Sequence, residues 1–206
     1  INVLGPDLNE SRNVFTVTPS GQIRFGLSAV KGVGDNAVEE ILKDRDKNGA
    51  FKSLFDLTTR VNLRAVNKRT VESMAKAGVF DFDPRYHRAQ YVKEDANGVN
   101  GIELALRYGQ RIQQEKFSGQ MGLFGGGANL ANEEPKLPQV DKLTLLEELK
   151  EEEELVGVFL SKHPLDDFKF EMKYFCNAKL EALKHLEHYV GKTLSFGGII
   201  NNVQHR

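Results

Sequence analysis

The segment Gly26-Leu27-Ser28-Ala29-Val30-Lys31-Gly32-Val33-Gly34-Asp35-Asn36-Ala37 opens as a short apolar turn and closes on two glycines one residue apart. It then runs straight into a helical stripe of Ala37, Val38, Ile41 and Leu42. The glycines let backbone approach another surface closely, because no Cβ stands in the way. Gly32 and Gly34 would present amide N–H groups at the start of a helix. The helix dipole adds positive potential there, and the pair suits an anionic oxygen. Val33 is expected to point inward and hold the turn on the core, with Lys31 as a nearby cation. The tripeptide alone fits a ligand-free helix–helix turn equally well.

This arrangement resembles the helix-hairpin-helix motif, which grips DNA by its backbone without reading bases. The chain that follows adds weight. Ser53 is placed to cap a helix carrying Leu54, Leu57 and Val61, and Asn67 to cap one carrying Val71, Met74, Ala75 and Val79. The connection Arg60-Val61-Asn62-Leu63-Arg64-Ala65-Val66-Asn67-Lys68-Arg69 gathers Arg60, Arg64, Lys68 and Arg69 around one turn. It reads as a second, glycine-free hairpin. Between Arg24 and Arg88 cations outnumber carboxylates, although net charge is −1 overall. Any hold on nucleic acid must therefore come from a local patch.

Upstream, Asn13 to Val17 and Gln22 to Phe25 read as short strands about a Thr-Pro-Ser-Gly turn, with Phe15 and Val17 on a face that can be buried. Asp35 and Asn36 are expected to cap the first helix. Downstream, helices are expected over Pro84 to Val92 and Ile102 to Lys116. Texture then changes from Ser118 to Asp141, a stretch rich in glycine. Within it lies Gly119-Gln120-Met121-Gly122-Leu123-Phe124-Gly125. Apolar side chains in such a loop suit a partner's pocket, with Leu123 and Phe124 as anchors, Met121 beside them and Gln120 bonding at the rim. The alternative is a loop folded onto its own domain. Leu143 to Leu155 reads as an acidic helix whose run Glu151 to Glu154 makes a solvated face. After the His163-Pro164 break come helices over Leu165 to Phe175 and Leu180 to His188, then a strand from Gly191 to Val203.

The chain is 206 residues long, 40% hydrophobic and 28% charged, an ordinary globular composition. Its single cysteine, Cys176, excludes an internal disulfide and fits a reducing, cytoplasmic setting. No apolar run reaches the roughly 18 residues of a membrane span. No Walker loop, catalytic Ser-His-Asp set or Asp-x-Asp metal pair is present. His163 reads as a structural residue at a helix break, not as a metal ligand. The start at Ile1, without methionine, and the stop at Arg206 after a strand-like run suggest a piece of a longer protein.

The ordered set of strings resembles the bacterial DNA polymerase III alpha subunit. Those strings are Phe25-Gly26-Leu27, Lys31-Gly32-Val33-Gly34, Phe51-Lys52-Ser53-Leu54-Phe55-Asp56, Val66-Asn67-Lys68-Arg69, Gly119-Gln120-Met121 with Leu123-Phe124-Gly125, and Leu160-Ser161 with His163-Pro164-Leu165-Asp166. Gly122 is a small spacer for that family's clamp-binding pentapeptide.

The resemblance implies a mostly α chain, a tandem helix-hairpin-helix domain with small β elements at both ends and a truncated OB-fold strand. It assigns 1–25 to the end of a fingers region and 26–117 to the tandem hairpin domain. The clamp-binding loop is 118–141, an acidic helical connector 142–190 and the OB-fold strand 191–206. It implies DNA-binding residues Lys31, Gly32, Val33, Gly34, Arg60, Arg64, Lys68 and Arg69, and clamp-binding residues Gln120, Met121, Leu123 and Phe124. The partners would be double-stranded DNA, the sliding clamp (the beta subunit) and other replicase subunits, with no membrane. The parent would be a magnesium-dependent DNA-directed DNA polymerase. This segment would carry no catalytic residue, metal or cofactor and would be inactive alone. An error-prone paralogue, a DNA-repair hairpin protein and a protein-interaction module without DNA binding remain alternatives.

Overall fold

Side chains set where the main helices begin. Ser53 Oγ accepts from the Asp56 N–H at 3.0 Å and starts α2 (Leu54–Arg60). Asn67 Oδ1 accepts from the Thr70 N–H at 3.1 Å and starts α3 (Lys68–Lys76). Both are the caps the sequence predicts. The computed structural model describes residues 2–117, 133–200 and 203, and the chain divides into two units, Ile1–Ser161 and Lys162–Arg206.

In the first unit, β1 (Val3–Leu4) lies parallel to β3 (Ile23–Arg24), and β2 (Thr16–Val17) lies antiparallel on the other side of β3. The sequence reading finds β2 and β3 but not β1, whose two residues carry no alternation to detect. Phe15 and Val17 are 50% and 74% exposed. The expected buried face is therefore not formed, and Phe15 instead meets the Phe25 ring edge-on at 4.5 Å.

A 3-10 turn at Leu27–Ala29 leads through the glycines to α1 (Asp35–Asn48). α4 (Arg88–Val92) and α5 (Gly101–Phe117) follow α3. The segment from Pro84 to His87 stays outside α4, where a helix is expected from Pro84. Leu27, Val33, Val38, Ile41, Phe55, Leu57, Val71, Met74, Phe80, Tyr91 and Ile102 form one core between these elements. Each buried side chain of this size contributes roughly 1.5–3 kcal/mol.

α5 packs closely along α2 because Gly109 has no side chain. A Cβ there would stand 2.4 Å from the Thr58 carbonyl oxygen. Thr58 Oγ1 donates to the Ala105 carbonyl at 2.8 Å. Gln113 Nε2 donates to the Thr58 and Val61 carbonyls at 2.8 and 2.9 Å. These satisfy carbonyls at the end of α2 that have no helical partner.

The acidic helix α6 (Leu145–Val156) begins at a Thr144/Glu147 capping box, ends at Gly157 in the left-handed region, and packs on α3. It belongs to the first unit. The expectation of a solvated acidic face fails at Glu152, whose side chain is 2% exposed. Its Oε2 accepts from the Leu160 N–H at 2.8 Å, the Ser161 N–H at 3.0 Å and Ser161 Oγ at 3.1 Å. Its Oε1 lies 3.8 Å from buried Arg88, which pairs with Asp81 at 2.6 Å. A buried carboxylate is tolerated here because its oxygens are paired.

In the second unit, a 3-10 turn at Pro164–Phe168 precedes α7 (Lys169–Tyr174), and a 3-10 stretch at Leu180–Tyr189 kinks at His185 where an α-helix is expected. His163 caps the first of these, its Nδ1 accepting from the Leu165 N–H at 3.2 Å. Residues 191–200 carry no strand. Their backbone is held instead by Asn177, which donates from Nδ2 to the Thr193 carbonyl at 3.0 Å and accepts from the Ser195 N–H at 2.9 Å. An extended run without a neighbouring strand has no ladder to join, so the expected OB-fold strand is absent among the described residues. No helix among them is long and apolar enough to cross a membrane.

Candidate nucleic-acid interface

The two hairpins face one another. Gly32, Val33, Gly34, Asn36 and Ala37 from the first, with Ala65, Asn67, Arg69 and Thr70 from the second, line a shallow depression of about 400 Å³. Helices α1 and α3 both begin at its edge.

The two glycines do different work. Gly32 has φ +89°, and a Cβ on it would stand 2.6 Å from Ser73 Oγ on α3. The fold itself demands glycine there. Gly34 has φ −83° and ψ 153°, a conformation any residue adopts, and a Cβ on it would meet nothing within 4 Å. It is the N-cap of α1, yet no side chain caps this helix. The expectation that Asp35 and Asn36 cap it is corrected: Asp35 lies inside the first turn, with Oδ1 taken by Ser28 Oγ at 2.7 Å. The N–H groups of Gly34, Asp35 and Asn36 find no acceptor among the described residues and lie at the exposed surface. Bare amides at a helix start attract anions.

Val33 is buried, 7% exposed, and anchors the hairpin. The Lys31 N–H donates to the Leu155 carbonyl at 2.9 Å, so the end of α6 braces the hairpin from behind. The Lys31 side chain stays exposed. Lys31, Arg64 and Arg69 have no carboxylate partner among the described residues.

Lys68 and Arg60 are committed elsewhere. Lys68 Nζ sits 2.6 Å from Glu103, and that hydrogen bond raises its pKa. Arg60 is expected on the basic turn but is drawn into the fold. It pairs with Asp44 at 2.6 Å and Asp56 at 3.0 Å, donates to the Gly49 carbonyl at 2.8 Å, and stacks on the Phe51 ring at 4.1 Å. With the Ala50 carbonyl accepting at 3.3 Å as well, two carboxylates and two carbonyls saturate the guanidinium fork. Gln120, Met121, Leu123 and Phe124 lie outside the described residues.

The sequence reading missed Ser73 and Leu155, which back the first hairpin, and Gln113, which steadies the second. Each acts on a partner far away in the chain, so no local spacing announces it. Among the described residues no three His, Cys, Asp or Glu side chains come together as a metal site.

Residues 1–91 match the family model described as a helix-hairpin-helix motif. The chain is 34% identical to DNA polymerase III subunit alpha of Pseudomonas aeruginosa over 99% of its own length and 18% of that protein. It is likewise 34% identical to the Saccharopolyspora erythraea subunit, over 100% of the chain and 17% of the relative. With the Borreliella burgdorferi subunit it shares 33% identity, over 99% and 17%. The chain thus spans under a fifth of the length of these relatives. Similar from end to end to one portion of these proteins, and carrying the hairpin motif, the chain belongs as a segment to the family of DNA polymerase III alpha subunits.

Proposed function

We propose that this chain holds duplex DNA by its phosphates within a replicative DNA polymerase, and that Gln120 to Phe124 docks on the sliding clamp. The observation that supports DNA holding best is Gly34. The fold does not require glycine there, yet its absent side chain leaves open, beside Arg69 and the second hairpin, three amides that are unpaired among the described residues. A phosphate oxygen fits that place, with Lys31 and Arg64 as flanking cations. Asp35 opposes it in part, and its bond to Ser28 turns one oxygen toward the protein. The clamp reading rests on the peptide sequence and on the family. Docking would raise the effective concentration of the polymerase at the primer end without altering the chemical step. Magnesium-dependent nucleotidyl transfer is assigned to other parts of such a protein.

Substitution at the two glycines separates grip from fold. Gly34→Ala is expected to change unfolding free energy by less than about 1 kcal/mol and to weaken duplex binding about tenfold, through obstruction of one or two charge-assisted bonds. Gly32→Ala is expected to destabilise by about 1–3 kcal/mol, because of its positive φ and the Ser73 contact. Unchanged binding by a folded Gly34→Ala protein would remove the hairpin from the site.

Lys31→Gln and Arg64→Gln are expected to weaken binding evenly across DNA sequences, each lowering the salt slope by about 1. Fluorescence anisotropy at several salt concentrations measures this. A sequence-selective loss would contradict backbone recognition, and a flat salt dependence would favour a protein-interaction module.

A further inference from the structure

A groove of about 1170 Å³ is bounded by α1, the Arg60–Arg64 turn and the end of α5. Its charges are not equally available. Glu40 accepts the Asn62 N–H at 3.1 Å, and Asp44 is held by Arg60. Arg64 and Lys116 have no partner among the described residues and are exposed. Gln113 is turned inward onto α2, whereas Gln110 and Gln114 are exposed, their amides unpaired among the described residues. Gln110, Gln114 and Phe117 follow helical spacing along one face of α5. Among the described residues, the groove thus offers two unpaired cations and two side-chain amides, against Asp44 paired with Arg60 and Glu40, which accepts one backbone N–H and keeps its charge.

That inventory suits an anionic backbone more than a peptide or an apolar ligand. The groove and the hairpin depression meet at one turn of the chain, whose Arg64 lines the first and whose Ala65, Asn67 and Arg69 line the second.

We propose that the duplex held at the hairpins extends its phosphate backbone along this groove, past Arg64 on the shared turn, with Lys116, Gln110 and Gln114 as a second set of contacts. This rests on the DNA-binding reading above. It makes α5 a ruler for bound duplex as well as a brace for α2. A longer duplex reaches both sets, and a short one only the first.

The test uses the 206-residue chain with duplexes of about one and about two helical turns, roughly 10 and 20 base pairs. Variants are Lys116→Gln and the pair Gln110→Glu with Gln114→Glu, which puts negative charge in the groove. The unmodified chain is expected to bind the longer duplex more tightly. The double variant should lose about tenfold or more on the longer duplex and little on the shorter. Lys116→Gln should lower the salt slope by about 1 on the longer duplex only.

If the variants match the unmodified chain on both duplexes while Lys31→Gln still weakens binding, the groove assignment is overturned and the hairpin reading stands. If the unmodified chain binds neither duplex, the hairpin reading falls and takes the groove with it. A single-stranded oligonucleotide of the longer length forms a further arm. Losses confined to it would overturn the duplex as occupant. Should the double variant melt early by circular dichroism, Lys116→Gln, at an exposed position, decides alone.

Discussion

Glu152→Ala is expected to lower unfolding free energy by about 3–5 kcal/mol, the largest stability effect of any single substitution considered. Removing one member of a buried ionic cluster strands the other, and that is costlier than the net worth of the pair. Here the substitution leaves two backbone N–H groups and a hydroxyl without their acceptor, at Leu160 and Ser161. Arg88 keeps Asp81 but loses its second carboxylate. The neighbouring Glu153, exposed on the same helix, gives the control. Glu153→Ala should stay within about 0.5 kcal/mol. Urea denaturation followed by far-ultraviolet circular dichroism compares them. Equal, small effects at both positions would mean that the buried carboxylate is not holding α6 on the hairpin domain.

The second large effect concerns the peptide. Leu123→Ala with Phe124→Ala should weaken clamp binding by about a hundredfold or more, since each buried anchor in such a pocket is worth roughly 2 kcal/mol or more. Duplex binding should be unaltered. Surface plasmon resonance on immobilised clamp, with competing Gln-Met-Gly-Leu-Phe peptide, reads the first, and anisotropy on duplex reads the second. Parallel loss of both would contradict separate sites. Clamp binding that survives the substitutions would move docking away from this loop.

Local chemistry was legible in the sequence. Ser53 and Asn67 cap helices where they were expected to, because an Asx or Ser cap acts on a residue three positions ahead. Gly32 was legible as a special position, and Val33 as its anchor. The stripe of α1 and the face of α3 followed from spacing alone. The misses share one cause. Arg60 looks like a member of a basic turn until Asp44 and Phe51 arrive from elsewhere and take its guanidinium inward. Glu152 looks like one more solvated carboxylate until Arg88 and the backbone of Ser161 enclose it. Gly34 could not be told from Gly32 by sequence, although only one of them is demanded by the fold. At the C-terminal end, periodicity suggested a strand, but pairing needs a neighbour, and Asn177 supplies the bonds instead.

The bond from the Lys31 amide to the Leu155 carbonyl also has a consequence for biosynthesis. Its two ends are about 120 residues apart, so at roughly 5–20 residues per second the ribosome makes the brace about 6–25 s after the hairpin. The first hairpin and its core partners up to Tyr91 can collapse long before that. Through that interval the nascent chain has its first hairpin without the support behind it. Completion of the braced hairpin is therefore a late event in translation, timed by α6.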